Sequence, residues 1–238
     1  MTSPSSSTAP GRSRDVRVAA VLFDLDGVLV DSRDAVERHW RAFAAWYDLD
    51  ADELLGQVHG RRSADTVARL AARLPVSAEA ALARYDRLEV DDQHDVAALP
   101  GAAALLDALP AQRWTVVTSG SLDVAQARLR AAGLPNPPVM ITAEQVRSGK
   151  PHPEPYQRGA ALFGVEPWRT LAVEDSSAGL ASALTAGCRT LALTTTQPAT
   201  ALTAAHHLTT DLTGLRLMGA TDDHLQLTVT GGGPETPS

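Results

Sequence analysis

The chain has 238 residues, a formal net charge of −7 and a hydrophobic content of 44 %. That length can bury one large core, or a core carrying an inserted module. The negative balance argues against a nucleic-acid or anionic-membrane surface, since backbone phosphates would be repelled on average. A single cysteine, Cys188, excludes an internal disulfide and fits a reducing compartment.

The opening "MTSPSSSTAPGRSRD" has no apolar centre. Residues 1–16 therefore read as a disordered polar tail rather than a secretory signal, and 229–238 read as a second tail. No apolar run approaches the length of a membrane span, so the protein is expected to be cytoplasmic.

The first ordered stretch is "VLFDLDGVLVDS", residues 21–32. Val21, Leu22 and Phe23 form a continuous apolar run, the mark of a short strand covered on both faces. It ends on two carboxylates, Asp24 and Asp26, which are costly to desolvate without a cation nearby. One Asp at such a place is an ordinary helix N-cap, and Gly27 an ordinary turn residue. Two Asp and a Gly within four residues ask for more.

Residues 33–97 are helical in pattern. In "DAVERHWRAFAAWYDL", Val36, Trp40, Phe43, Ala44 and Tyr47 share one face, and the aromatics read as core. Ser63 and Ser77 stand at expected N-caps of the next two helices. A block of helices between strands marks an inserted module. From residue 98 the pattern alternates: helix 102–109, strand "WTVVTSG", a helix ended by Gly133, the apolar run "VMITA", the loop "EQVRSGKPHPEP", helix "YQRGAALFG", strand "TLAVED", helix "SAGLASALTAGC" and strand "RTLALTT". Such alternation predicts an α/β fold, a doubly wound parallel sheet, over 17–32 and 98–228, with 33–97 as a helical cap.

In parallel sheets, ligands sit beyond the carboxyl ends of the strands. Asp24, Ser119, Lys150 and Asp175 all fall there. Asp24, Asp26, Glu174 and Asp175 would repel one another unless a divalent cation binds, and oxygen donors of this kind suit Mg²⁺. No His or Cys cluster has zinc spacing, and His206–His207 read as a solvated pair. With Lys150, the cation would make a pocket for a phosphate monoester, which the Ser119 hydroxyl and backbone N–H groups also hold. Asp24 would attack phosphorus and form an acyl phosphate, while Asp26 would protonate the leaving group and later deprotonate water. Taken singly, Lys150 reads as a solvated loop lysine and Ser119 as a turn residue. Their shared position argues otherwise.

"DLDGVLVDS", "VVTSGS", "GKPHPEPY" and "VEDSSAG" resemble, in order and spacing, the four motifs of the haloacid dehalogenase superfamily of phosphohydrolases, over nearly all of residues 18–220. The insert resembles that superfamily's small α-helical cap. The resemblance implies Asp24 as nucleophile and Asp26 as general acid/base. It implies Asp24, the Asp26 carbonyl and Asp175 as magnesium ligands, with Glu174 assisting. Ser119, Gly120 and Lys150 would bind the phosphoryl group. Within the superfamily the chain is most similar to small sugar- and polyol-phosphate phosphatases, including hexitol and glycerol-phosphate phosphatases. "HGRRSADT" resembles their substrate-specificity loop, which implies that His59, Gly60 and Arg61 meet the leaving group; a plain basic turn is the alternative.

A β-phosphoglucomutase-like phosphoryl transferase shares these motifs. Such mutases resemble this chain but carry a His where Val36 stands and a cap Arg near Ser63, so hydrolysis is favoured. A catalytically silent phosphometabolite-binding protein is the non-enzyme alternative, although none of its carboxylates is missing. The expected partner is a small phosphorylated sugar or polyol, and the expected state is a monomer. Asp31–Ser32 and Leu99–Gly101 are expected to act as hinges between cap and core.

Overall fold

The computed structural model describes residues 13–58 and 61–231. Strand β1 (Ser13–Val18) leads through Ala19 into β2 (Ala20–Phe23), all four residues of which are buried. A tight turn then returns the chain to a two-residue strand, β3 (Val30–Asp31). Four helices follow: α1 (Arg33–Trp46), α2 (Ala51–Val58), α3 (Ser63–Leu70) and α4 (Ala78–Asp91). Their apolar faces close on each other around Trp40, Phe43 and Tyr85, forming a core separate from that of the sheet. The Trp40 and Tyr85 rings stack with centroids 4.2 Å apart.

Strand β4 (Ala97–Ala98) closes the insert by pairing antiparallel with β3, Val30 opposite Ala98 and Asp31 opposite Ala97. Both crossings between cap and core therefore run side by side. Beyond them, α5 (Ala102–Ala108), β5 (Trp114–Val116), α6 (Leu122–Ala131), α7 (Glu154–Leu162), β6 (Thr170–Glu174), α8 (Ser177–Ala186) and β7 (Arg189–Leu193) follow the expected alternation. Strands β8 (His207–Thr209), β9 (Leu215–Ala220) and β10 (Leu225–Thr230) complete the described chain.

The main sheet is parallel, in the order β5-β2-β6-β7-β8. Its two faces bury alternate residues. Val21 and Phe23 pack with Leu105 of α5 and Leu129 of α6. Leu22 packs on the other side with Tyr156 of α7 and Ala183 of α8. The chain leaves β2 for β5 on one side and later returns to β6 on the other. At such a reversal the connections diverge and a crevice opens beyond the strand ends.

Three local readings need correction. Strand β1 begins at Ser13 and pairs along its length with β10, up to Thr230, so regular structure extends into both segments read as tails. Residues 1–12 and 232–238 lie outside the described residues. Ser63 is the first residue of α3 rather than its cap, and its hydroxyl bonds Glu89 instead of the helix end. Ser77 does cap α4, accepting from the Ala80 N–H at 3.2 Å. Of the pair read as solvated, His206 is exposed, with the Thr190 N–H donating to its Nδ1, but His207 is half-buried in β8.

Candidate active site

Asp24 is the residue after β2, and its N–H donates to the Val173 carbonyl of β6 at 3.0 Å. Its side chain therefore projects from the middle of the sheet's carboxyl edge, where it is buried. Lys150, from the loop before α7, brings Nζ to 2.8 Å from Asp24 Oδ1 and 2.6 Å from Glu174 Oε1. Glu174 ends β6. It accepts from the Tyr156 hydroxyl at 2.6 Å and the Ser176 hydroxyl at 3.1 Å. Asp175 is the next residue, and the Thr196 hydroxyl donates to its Oδ2.

Carboxylate oxygens of Asp24, Glu174 and Asp175 lie within 4.8 Å of one another, all on buried residues. Three buried acids share one lysine. Burial pushes the Asp24 carboxyl up to about 7, with Lys150 opposing and Glu174 reinforcing. Burial and the Asp24 charge raise Asp175 well above the ordinary range. Burial alone would lower Lys150, but Asp24 and Glu174 together push its ammonium above its usual value. Hard oxygen donors with excess negative charge are the chemistry that Mg²⁺ needs, so these residues fit the ion.

Two glycines permit the close approach of backbone to acid. Gly27 has φ +77°, and a Cβ there would overlap the Asp175 carboxylate. A Cβ on Gly179, in the first turn of α8, would overlap Glu174. The turn after β2 and the start of α8 therefore depend on the missing side chains.

A cavity of about 400 Å³ opens above the acids, between core and cap. Asp24, Ser119 and Asp175 line its floor; Val36, Trp40 and Arg61 line its roof. Gly120 also faces it, and the Gly120 N–H donates to Thr118 Oγ1 at 3.0 Å. Of the three residues expected to meet the leaving group, Arg61 reaches the cavity, while His59 and Gly60 lie outside the described residues. The neighbouring Arg62 instead ties cap to core. Its guanidinium pairs with Asp65 and donates to the Val146 carbonyl at 3.2 Å.

Asp26 is also at the cavity, held by Arg128, which no motif marked, and by Ser32 at the end of the first motif. Arg128 Nη1 lies 2.6 Å from Asp26 Oδ2, and the Ser32 hydroxyl donates to Oδ1. Arg128 also grips Glu89 of the cap at 2.7 Å. Thr196 likewise lies outside every motif, and Tyr156, though it ends the third motif, is given no role by the sequence. In sequence, Arg128 looks like any helix arginine, and only its burial and its partner 102 residues away distinguish it.

A switch-point crevice of this composition, roofed by an inserted helical body, defines a doubly wound α/β enzyme with a helical cap. The chain belongs to the haloacid dehalogenase-like hydrolase family, whose model matches residues 18–187. Hexitol phosphatase A of Escherichia coli (strain K12) is 42 % identical over 181 residues, covering 75 % of this chain and 84 % of that protein. Glycerol-1-phosphate phosphohydrolase 2 of Saccharomyces cerevisiae is 34 % identical over 194 residues, 76 % of each. A solved hydrolase from Pseudomonas syringae matches with TM-score 0.72 at 23 % identity, covering 82 % of this chain and 94 % of that one, a likeness of fold. Among the described residues, no helix is long and apolar enough to cross a membrane.

Proposed function

We propose that the protein hydrolyses small sugar or polyol phosphate monoesters, with Mg²⁺, through a phosphoryl intermediate on Asp24. Its reaction class is that of a phosphoric monoester hydrolase. The observation that carries the finer reading is the Asp24–Lys150 contact of 2.8 Å at a strand end, beside two further buried acids. The named relatives act on phosphate esters of this size. A cavity of about 400 Å³ is within the range of small-molecule sites. Glu37 and Gln197 on its wall offer oxygen and amide groups to a chain of hydroxyls.

Asp24, Asp175 and the Asp26 carbonyl would hold the magnesium, with Glu174 behind them. When bound, the ion shields phosphate charge and keeps Asp24 ionised at neutral pH. Asp24 then forms a bond from its carboxylate oxygen to phosphorus as the bond from phosphorus to the ester oxygen breaks. Asp26 gives its proton to that departing oxygen. In the second half, Asp26 takes a proton from water as the water oxygen bonds phosphorus and the Asp24–phosphorus link opens, releasing phosphate. Lys150 holds the phosphoryl oxygens, with Ser119 and Gly120 on the opposite side. Glu174 and Tyr156 keep the ammonium in place.

Val36 and Ser63 both line the cavity, where the mutases carry a His and an Arg, and this favours water as the acceptor. The protein is read as a cytoplasmic monomer with no macromolecular substrate. The test is phosphate release from a panel of glycerol, hexitol, hexose and deoxysugar phosphates, with and without Mg²⁺, for wild type and Asp24→Asn. Metal-dependent turnover lost in the variant is expected. Equal activity in the two proteins, or turnover indifferent to chelation, would overturn it.

A further inference from the structure

Arg128 stands on α6 of the core, is 3 % exposed, and divides its guanidinium between two carboxylates of different bodies. Nη1 takes Asp26 Oδ2 at 2.6 Å, and Nη2 takes Glu89 Oε1 at 2.7 Å. Asp26 follows β2 of the core sheet, whereas Glu89 lies on α4 of the cap and is itself buried. The remaining nitrogen, Nε, is buried without a hydrogen-bond partner. Arginine facing one carboxylate prefers a two-pronged grip, which is stronger and fixes the plane of the acid. Here the prongs are split, and the split lasts only while the cap is down. Withdrawing α4 would expose the Arg128–Glu89 pair to water and free Nη2 to share Asp26.

We propose that Arg128 is a positioning residue for Asp26, and that Glu89, holding the other arm of the same guanidinium, makes the placing of Asp26 depend on cap closure. The inference rests on the reading of Asp26 as general acid. With Arg128 in its split grip and Ser32 on the second oxygen, the Asp26 carboxyl is fixed at the cavity wall. A closed cap thus aligns proton delivery, and an open cap lets the carboxyl turn with the arginine. Burial also pushes Glu89 up to about 7 against the pull of Arg128, so the cap arm of the latch can lose its charge near neutral pH.

A purely structural arginine and a positioning one differ in leaving-group dependence. Proton donation matters for an alkoxide departing from a polyol and hardly at all for p-nitrophenolate. The ratio kcat/KM, which reports the steps through departure of the leaving group and not the later hydrolysis common to both esters, is therefore measured with glycerol 1-phosphate and with p-nitrophenyl phosphate, in saturating Mg²⁺, for Asp26→Asn, Arg128→Met, Arg128→Lys and Glu89→Gln. Arg128→Met is expected to lose roughly 100-fold on the polyol ester, the low end of general-acid contributions, and about threefold or less on the nitrophenyl ester. Arg128→Lys keeps the charge without the fork; it should show the same selectivity at smaller size. Glu89→Gln should follow it. Should Arg128→Met fail to fold, Arg128→Lys decides. Equal losses on both esters in the arginine variants, with selective loss in Asp26→Asn, would overturn the positioning role alone. Equal losses in Asp26→Asn would overturn the acid role, and this inference with it.

Discussion

Lys150 and Glu174 form an ion pair of 2.6 Å in which the Glu174 side chain is wholly withdrawn from solvent. Tyr156 holds the same Glu174 oxygen from α7, so the ammonium is aimed at Asp24 by a braced acid rather than by chance loop geometry. A buried charge of this kind is strongly destabilising to unpair. Lys150→Met leaves three acids with no cation, and in Mg²⁺-free buffer should cost about 3–5 kcal/mol in urea unfolding. Phosphatase activity should fall with it. A variant as stable as wild type would show that the acids are already neutral.

Magnesium should stabilise the fold through the same acids. At 100 times its dissociation constant, a ligand bound only by the folded state adds about 2.7 kcal/mol. A rise in melting temperature with Mg²⁺ is expected for wild type and should vanish in Asp175→Asn. Persistence of the shift in that variant would place the ion elsewhere.

Gly27 offers a backbone test. Its φ of +77° is unfavourable to an L side chain, and a Cβ would collide with Asp175. Gly27→Ala should therefore destabilise by about 1–3 kcal/mol and reduce turnover by displacing the Asp175 carboxylate. Gly56, which has no heavy atom near its Cβ position, is the control on the cap. If the two Ala variants behave alike, the close approach is unimportant.

Glu89 gives one separable part of the pH dependence, beside the raised acids Asp24, Asp86 and Asp175. Burial raises its carboxyl from 4.5 to about 7, so the folded state binds this proton more tightly than the unfolded one. The stability it contributes is complete below pH 4.5 and is lost as pH rises through about 7. Urea unfolding at a series of pH values should show a negative slope in that window for wild type and a flatter one for Glu89→Gln. An unchanged slope would assign the effect to another acid.

Much of the crevice was legible because its acids and lysine are anomalous locally. Asp24 and Asp175 interrupt apolar strands, and Lys150 follows a Gly in a loop between periodic segments. Arg128, Glu89, Tyr156 and Thr196 carry no such anomaly. Each fits its own helix or loop, and its role appears only when segments 26, 89 and 128, or 150, 156 and 174, converge. The last strands are a different case. Leu215 and Leu217, then Leu225, Leu227 and Val229, alternate with polar residues around "TDDH", a period-two signal that was available in the sequence. The crossings between cap and core were expected near Asp31–Ser32 and Leu99–Gly101, but the pairing of β3 with β4 just beside them depends on bringing residues 30 and 98 together.

The central claim is that the Asp24 carboxylate itself takes the phosphoryl group. Rapid acid quench of enzyme turning over a ³²P-labelled polyol phosphate, followed by peptide mapping, tests it directly. An alkali-labile label on the peptide containing Asp24, absent from Asp24→Asn, is the expected result. Turnover at full rate with no labelled protein at any quench time, or a label on another residue, would contradict it.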